Sequence, residues 1–213
     1  MYGQGLAILA LCEALAMTGD ETLRDDCQQA VDYIVYAQHV RGGWRYFPGQ
    51  PGDITVWGWQ VMALRSAQLA GLHVPARTLE LAQQFLDSVQ SHDGLGYGYQ
   101  MPDVQPAPTA IGLLGQMYFG SRRSDGNLRR GVALLSTWGP SPDDIYFNYY
   151  ATQVLHHFDG PQWDAWNATM RDHLIATQAT QGHEAGSWYF ADGHTLAGGR
   201  LCDTSLALMI LEV

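Results

Sequence analysis

A glutamine closing a helical segment, with glycine four positions later and an aromatic residue soon after, recurs along this chain and limits what it can fold into. Ala30–Gln38 leads into Gly42-Gly43-Trp44, and Ala82–Gln90 leads into Gly94-Leu95-Gly96-Tyr97. Met170–Gln178 leads into Gly182 and then Gly186-Ser187-Trp188. A further segment, Gly131–Gly139, fits the helical pattern but carries Gly139 where the glutamine would stand. The segments that follow the loops repeat as well. Thr55–Val61 pairs with Tyr149–Val154, and Pro108-Thr109 pairs with Asp203-Thr204. The unit is therefore helix, Gly-aromatic loop, helix, in about four copies after an opening helix. Such a unit cannot bury its apolar face alone, so the copies pack side by side into a solenoid or a ring. Loops this rich in Trp, Tyr and Gly are too apolar to hang in water, which favours a ring with each turn pinned between neighbouring hairpins.

Apolar residues at helical spacing place helices near 3–17, 22–38, 55–72, 75–90, 107–119, 126–138, 145–158, 162–179 and 203–212. In the second of these, Ala30, Tyr33, Ile34 and Ala37 mark the apolar face. Asp53 with Thr55, Asp125, Ser141 and Asp203 stand where caps belong, and Gly71, Gly120 and Gly160-Pro161 follow helix ends. No strand pair stands out. The fold class is all-α, an α/α arrangement of about nine helices. With no linker or composition shift, residues 1–213 read as one domain. Both ends stop in or beside helices, as in a piece of a longer chain, and would leave apolar helix faces able to pair between chains.

Composition narrows the function. The chain has 213 residues, 46% of them hydrophobic and 15% charged, which excludes disorder. No window of about 18 residues is apolar enough to span a membrane. All 11 basic residues are Arg, against 21 acidic ones, for a net charge of −10. Without Lys there is no Schiff base and no phosphate-loop lysine. So acidic a chain is also a poor partner for nucleic acid. Three scattered cysteines, Cys12, Cys27 and Cys202, make no disulfide framework and fit a reducing compartment. With no signal-peptide pattern at the start, the expected location is the cytoplasm, with peripheral membrane contact left open.

Gln38 to Trp44, with degenerate copies beginning at Gln90 and Gln178, resembles the QW motif of squalene–hopene cyclases and other triterpene cyclases. The wider resemblance is to the α/α toroid that these cyclases share with protein prenyltransferase β subunits, and it spans essentially the whole chain. It implies a ring, partial or complete, in which the amides of Gln38 and Gln178 bond to the start of a neighbouring helix beneath Trp44 and Trp188. Gly139 has no amide, so the tie there should be looser. Rings of this kind have about six helix pairs, more than nine helices supply.

The same resemblance points to chemistry. A cyclase of this type protonates an alkene with an Asp-x-Asp-Asp-Thr motif and steadies the resulting cation with aromatic faces. Pro51-Gly52-Asp53-Ile54-Thr55 aligns with that motif, Asp53 on the proton-donating aspartate, but both flanking acids are missing. Asp53 is thus either an acid or a plain helix cap. Asp143 and Asp144, adjacent carboxylates before a helix, are a weaker candidate pair, with capping as the alternative. Trp57, Trp59, Tyr146, Phe147, Tyr149 and Tyr150 sit at the mouths of inner helices and either line an apolar cavity or fill the ring's centre. A zinc site of the prenyltransferase kind would draw on Cys202, Asp203 and His183, with Glu184 and His194 near in sequence. Adjacent residues on a helix diverge by about 100°, however, so no metal or other cofactor is expected. His156-His157 reads as one core and one surface histidine. Two functions remain open: a terpene cyclase-like or prenyltransferase-like domain holding an isoprenoid or other apolar ligand or lipid, and a non-catalytic toroid used for binding or scaffolding.

Overall fold

The structure is a computed structural model that describes every residue except Asp192 and His194. The described residues form nine α-helices: α1 (Tyr2–Thr18), α2 (Arg24–Ala37), α3 (Ile54–Leu69), α4 (Ala76–Ser88), α5 (Pro106–Tyr118), α6 (Gly126–Trp138), α7 (Ile145–Phe158), α8 (Pro161–Thr177) and α9 (Gly199–Leu211). Their only β pairing is an isolated bridge between Gln90 and Tyr97. None of the described helices is long and apolar enough to cross a membrane.

Burial sorts the helices into two layers. α2 buries one stripe, Cys27, Val31, Ile34 and Ala37, and α4 buries Thr78, Ala82, Phe85 and Leu86. α6 does the same with Leu128, Gly131, Val132 and Leu135. A single stripe is what an outer helix shows to a core. α3 buries 13 of its 16 residues, and α5 and α7 are buried along most of their lengths. The order of packing is α1 on α3, α3 on α5, α5 on α7 and α7 on α9, with α2, α4, α6 and α8 backing them. This is the α/α toroid arrangement of inner and outer helices. At its two ends, α1 leaves Leu6, Leu11 and Met17 exposed, and α9 leaves Leu201, Leu208 and Leu211 exposed.

One aromatic of each Gly-aromatic loop, Trp44, Tyr97 or Trp188, belongs to the core, while Tyr46, Phe47, Tyr189 and most of the third loop are exposed. Trp44 Nε1 donates to the Ile34 carbonyl at 2.8 Å, and Trp188 Nε1 donates to the Leu174 carbonyl at 2.8 Å. In both cases the acceptor lies four residues before the terminal glutamine. In all three loops the residue after the glutamine (His39, Ser91 or Ala179) donates its N–H at 2.9 Å to the carbonyl just before the aromatic. Tyr97 replaces the indole in the middle copy, and its hydroxyl receives Gln90 Nε2 at 2.9 Å and Gln116 Nε2 at 2.5 Å. Gly42 has φ +87°, and a Cβ there would run into the Leu81 carbonyl, so only glycine lets α4 come this close.

The glutamines divide. Gln38 Nε2 donates to Thr78 O in the first turn of α4 and to Gly42 O, each at 3.0 Å, so it ties one outer helix to the next. Gln178, expected to do likewise, donates to Gly186 O in its own loop at 3.1 Å. At Gly139 the missing amide is replaced from the other side. Asn148 of α7 accepts from Ser141 N at 2.9 Å and donates to Ser141 O at 2.8 Å. Two local expectations also shift. Tyr33 is exposed and Val31 takes its place on the buried face of α2. α9 starts at Gly199, so Asp203 lies inside the helix instead of before it.

Gln38→Ala should lower unfolding stability by about 2 kcal/mol, since it leaves two carbonyls short of a donor, whereas Gln178→Ala should cost less than about 1 kcal/mol. Urea unfolding of the two variants beside wild type measures the difference.

Candidate functional site

A cavity of about 1310 Å³ opens where the inner helices begin. α1 contributes Tyr2 and Leu6 to it, α3 contributes Thr55 and Trp59, and α7 contributes Tyr146 with Asp144 just before it. The connecting segments add Tyr46 and Tyr99, and α5 adds its opening prolines, Pro106 and Pro108. α9 forms the far wall with Leu201, Cys202, Leu206 and Met209. Among the described lining residues no side chain is cationic, and Asp144 is the one carboxylate.

Polar groups in the cavity wall are tied to one another. Trp59 Nε1 donates to Tyr146 Oη at 3.0 Å, and Tyr146 Oη donates to the Thr55 carbonyl at 3.3 Å. Thr55 Oγ1 donates to Asp53 Oδ1 at 2.7 Å and lies 2.5 Å from Tyr2 Oη. A hydroxyl has one proton to give, so Tyr2 is the donor in that pair. Burial pushes the Tyr2 phenol up to about 12, and burial raises Tyr99 and Tyr146 as well.

Asp53 stands one layer behind this wall, fully buried. It is the N-cap of α3. Its Oδ1 accepts from Val56 N at 2.9 Å as well as from Thr55, and its Oδ2 faces Arg45 Nε at 3.5 Å. Asp53 meets the cavity through Thr55 and Tyr2 and, on another side, through the Tyr99 phenol.

Other candidates are placed as follows. Asp144 lines the cavity and caps α7, accepting from Phe147 N at 2.7 Å. Asp143 is exposed. Of the aromatic candidates, Trp59 and Tyr146 reach this cavity. Trp57 does not. It is fully buried, donates to Ala82 O at 3.0 Å and packs against Phe85 and Phe119. Phe147 also packs outward, edge-on to Trp138 and Trp166. Tyr150 fills the centre beside Gly58, where a Cβ would sit 2.7 Å from Ile111 Cγ2 and 3.2 Å from the Tyr150 oxygen. Tyr149 stacks on Trp59, centroids 5.6 Å apart at 10°, and faces a different cavity. Of the lining residues that the sequence did not mark, Tyr46 and Tyr99 had one usable signal, since each lies in a loop rich in aromatics, whereas Tyr2 had none.

Cys202, Asp203 and His183, the residues named for zinc, are not grouped together. Cys202 lines the cavity, whereas Asp203 is buried and accepts from Phe190 N at 2.8 Å. His183 has a largely exposed side chain beside Glu184. No three His, Cys, Asp or Glu side chains among the described residues are grouped to hold a metal, and His194 lies outside those residues. His156 packs against Trp163, and His157 is the more exposed of the two.

No protein-family model matches the chain. No curated protein matches it either. Among solved structures it is similar to an apo variant of the type II terpene cyclase MstE from Scytonema, at 13% identity and a TM-score of 0.65. That likeness covers 96% of this chain and 60% of the other, and at so low an identity it concerns the fold. The chain therefore has a terpene cyclase-like toroid fold and spans 60% of the chain it is similar to.

Seven of the eleven tyrosines have phenols raised by burial. A phenol whose folded value lies above the unfolded one keeps its proton in the native state. Its stabilising contribution is complete below pH 10 and is lost as pH climbs from 10 through the folded value. Ultraviolet titration should show these seven silent at pH 10 until the chain unfolds, with stability to urea declining from that pH upward.

Proposed function

We propose that this chain is a terpene cyclase-like domain that binds a neutral isoprenoid or similar long apolar ligand in the 1310 Å³ cavity. The observation that carries this reading is the cavity wall: the rings of Trp59, Tyr146, Tyr2, Tyr46 and Tyr99 opposite the aliphatic side chains of α9. Drug-sized ligands fill about 300–1,000 Å³, so the space suits a longer chain. Aromatic faces and aliphatic walls recover the hydrophobic free energy of such a ligand. With no guanidinium or ammonium in the described wall, and Asp144 in it, a diphosphate head would be buried unpaired, at a cost of several kcal/mol.

Two outcomes follow for a bound isoprenoid. In the catalytic one, Asp53 supplies the proton through Thr55 and Tyr2, which requires the carboxyl to be protonated and Thr55 to reverse its hydrogen bond. In the other, the ligand is held and not transformed. The donors around Asp53 (Val56 N, Thr55 Oγ1 and Arg45) support this second outcome, because they hold the group as a cap.

Calorimetry with farnesol and farnesyl diphosphate tests the binding. We expect farnesol to bind at least about tenfold more tightly, and Trp59→Ala to weaken it by about tenfold. Tighter binding of the diphosphate, or no binding of farnesol, would refute the reading. Incubation with squalene and shorter prenyl substrates then separates the outcomes. Cyclised product that disappears in Asp53→Asn identifies the acid, and binding without product identifies a binding domain.

A further inference from the structure

A second cavity, of about 520 Å³, lies at the opposite pole, where α3, α5, α7 and α9 end. Tyr149 walls it and Trp59 walls the larger cavity, so this stacked pair separates the two. The second cavity differs in chemistry. Its lining includes Glu13, Arg65, Tyr118, Tyr149, Gln153 and His157. These polar groups are largely unused by the protein. Tyr149 is 3% exposed, yet its hydroxyl makes no hydrogen bond among the described residues. Neither Tyr118 nor the Gln153 amide is hydrogen-bonded among those residues. Glu13 accepts from Ser66 Oγ at 3.2 Å but has no ion-pair partner among them.

We propose that this cavity binds a primary alkylammonium ion. Such a head carries three N–H donors and no acceptor. Glu13, the Tyr149 oxygen and the Gln153 carbonyl offer it three acceptors in the lining of one space. Charge supports the choice of sign. Glu13 and Glu212 outnumber Arg65, and four helix C-termini turn their carbonyl ends towards this pole, which favours a cation. His157 adds no opposing charge at neutral pH, because burial and the neighbouring His156 lower its imidazole below the ordinary value. Burial also raises the Tyr118 and Tyr149 phenols, so both stay neutral and available to accept. Leu9, Met62 and Met117 give the alkyl stem an apolar wall. This site is independent of the reading of the larger cavity.

Hexylammonium, 1-hexanol and hexanoate, titrated separately into the protein at neutral pH and low salt, provide the test by calorimetry. We expect hexylammonium to bind at least about tenfold more tightly than either of the others. Glu13→Gln, on an exposed residue, should remove about tenfold of that affinity, and Tyr149→Phe, which keeps the ring, about threefold. Farnesol binding to Glu13→Gln should match wild type, which separates this site from the larger cavity. The proposal is overturned if hexanoate binds best, which would make Arg65 the anchor. Equal binding of the alcohol and the ammonium, no binding of hexylammonium, or unchanged affinity in Glu13→Gln would also overturn it.

Discussion

The structure depends on a hydrogen bond from a loop indole back to the last turn of the helix that precedes it. Trp44 returns to Ile34 in α2, and Trp188 returns to Leu174 in α8. The last four carbonyls of any helix lack an internal partner, and here one of them is met by a side chain that also buries a large apolar area. The same aromatic then positions the next inner helix. The Trp44 carbonyl accepts from Asp53 N at 3.0 Å, and the Tyr97 carbonyl accepts from Gln105 N at 3.1 Å, just ahead of α3 and α5. Trp188 N and O both meet Thr204 Oγ1 in α9. One aromatic residue therefore fixes the end of an outer helix and the start of an inner one, and repetition of that joint makes the hairpins curve about a shared centre.

A hollow follows from the joint. Inner helices begun from these joints bring their first turns together, and their opening residues (Thr55, Pro106 and Tyr146) become walls. The centre is not left empty along its full depth. Trp59, Tyr149 and Tyr150 meet there edge-on and stacked, and they divide a large apolar cavity from a smaller polar one. Behind the larger cavity, Asp53 is held by Val56 N, Thr55 Oγ1 and Arg45, the contacts that begin α3.

Much of this was legible in the sequence, for identifiable reasons. The outer helices carry one apolar stripe each, so their period and extent could be read within a few residues. Asp53 announced itself as a cap through its place before a helical run. The side that each inner aromatic faces could not be read. α3 is buried on nearly every side, so periodicity gives no preferred face, and Trp57 points to the outer layer while Trp59 points inward. The repeat also concealed substitutions that work from outside the motif. Tyr97 holds its loop through two amides, one of them Gln116 on α5, and Asn148 on α7 supplies the grip that Gly139 cannot. Both depend on residues distant from the glutamine position, and a search for the motif alone passes over them. Tyr2 became a cavity residue only through its contact with Thr55, 53 positions away.

Hydrogen exchange of the indole N–H groups, followed by nuclear magnetic resonance, tests the joint most directly. Trp44 and Trp188 are 0% and 3% exposed and bonded to helix carbonyls, so their indole protons should exchange only when the whole chain unfolds. Exchange of either one at the rate of a solvent-exposed indole, in a chain that is otherwise folded, would contradict the account.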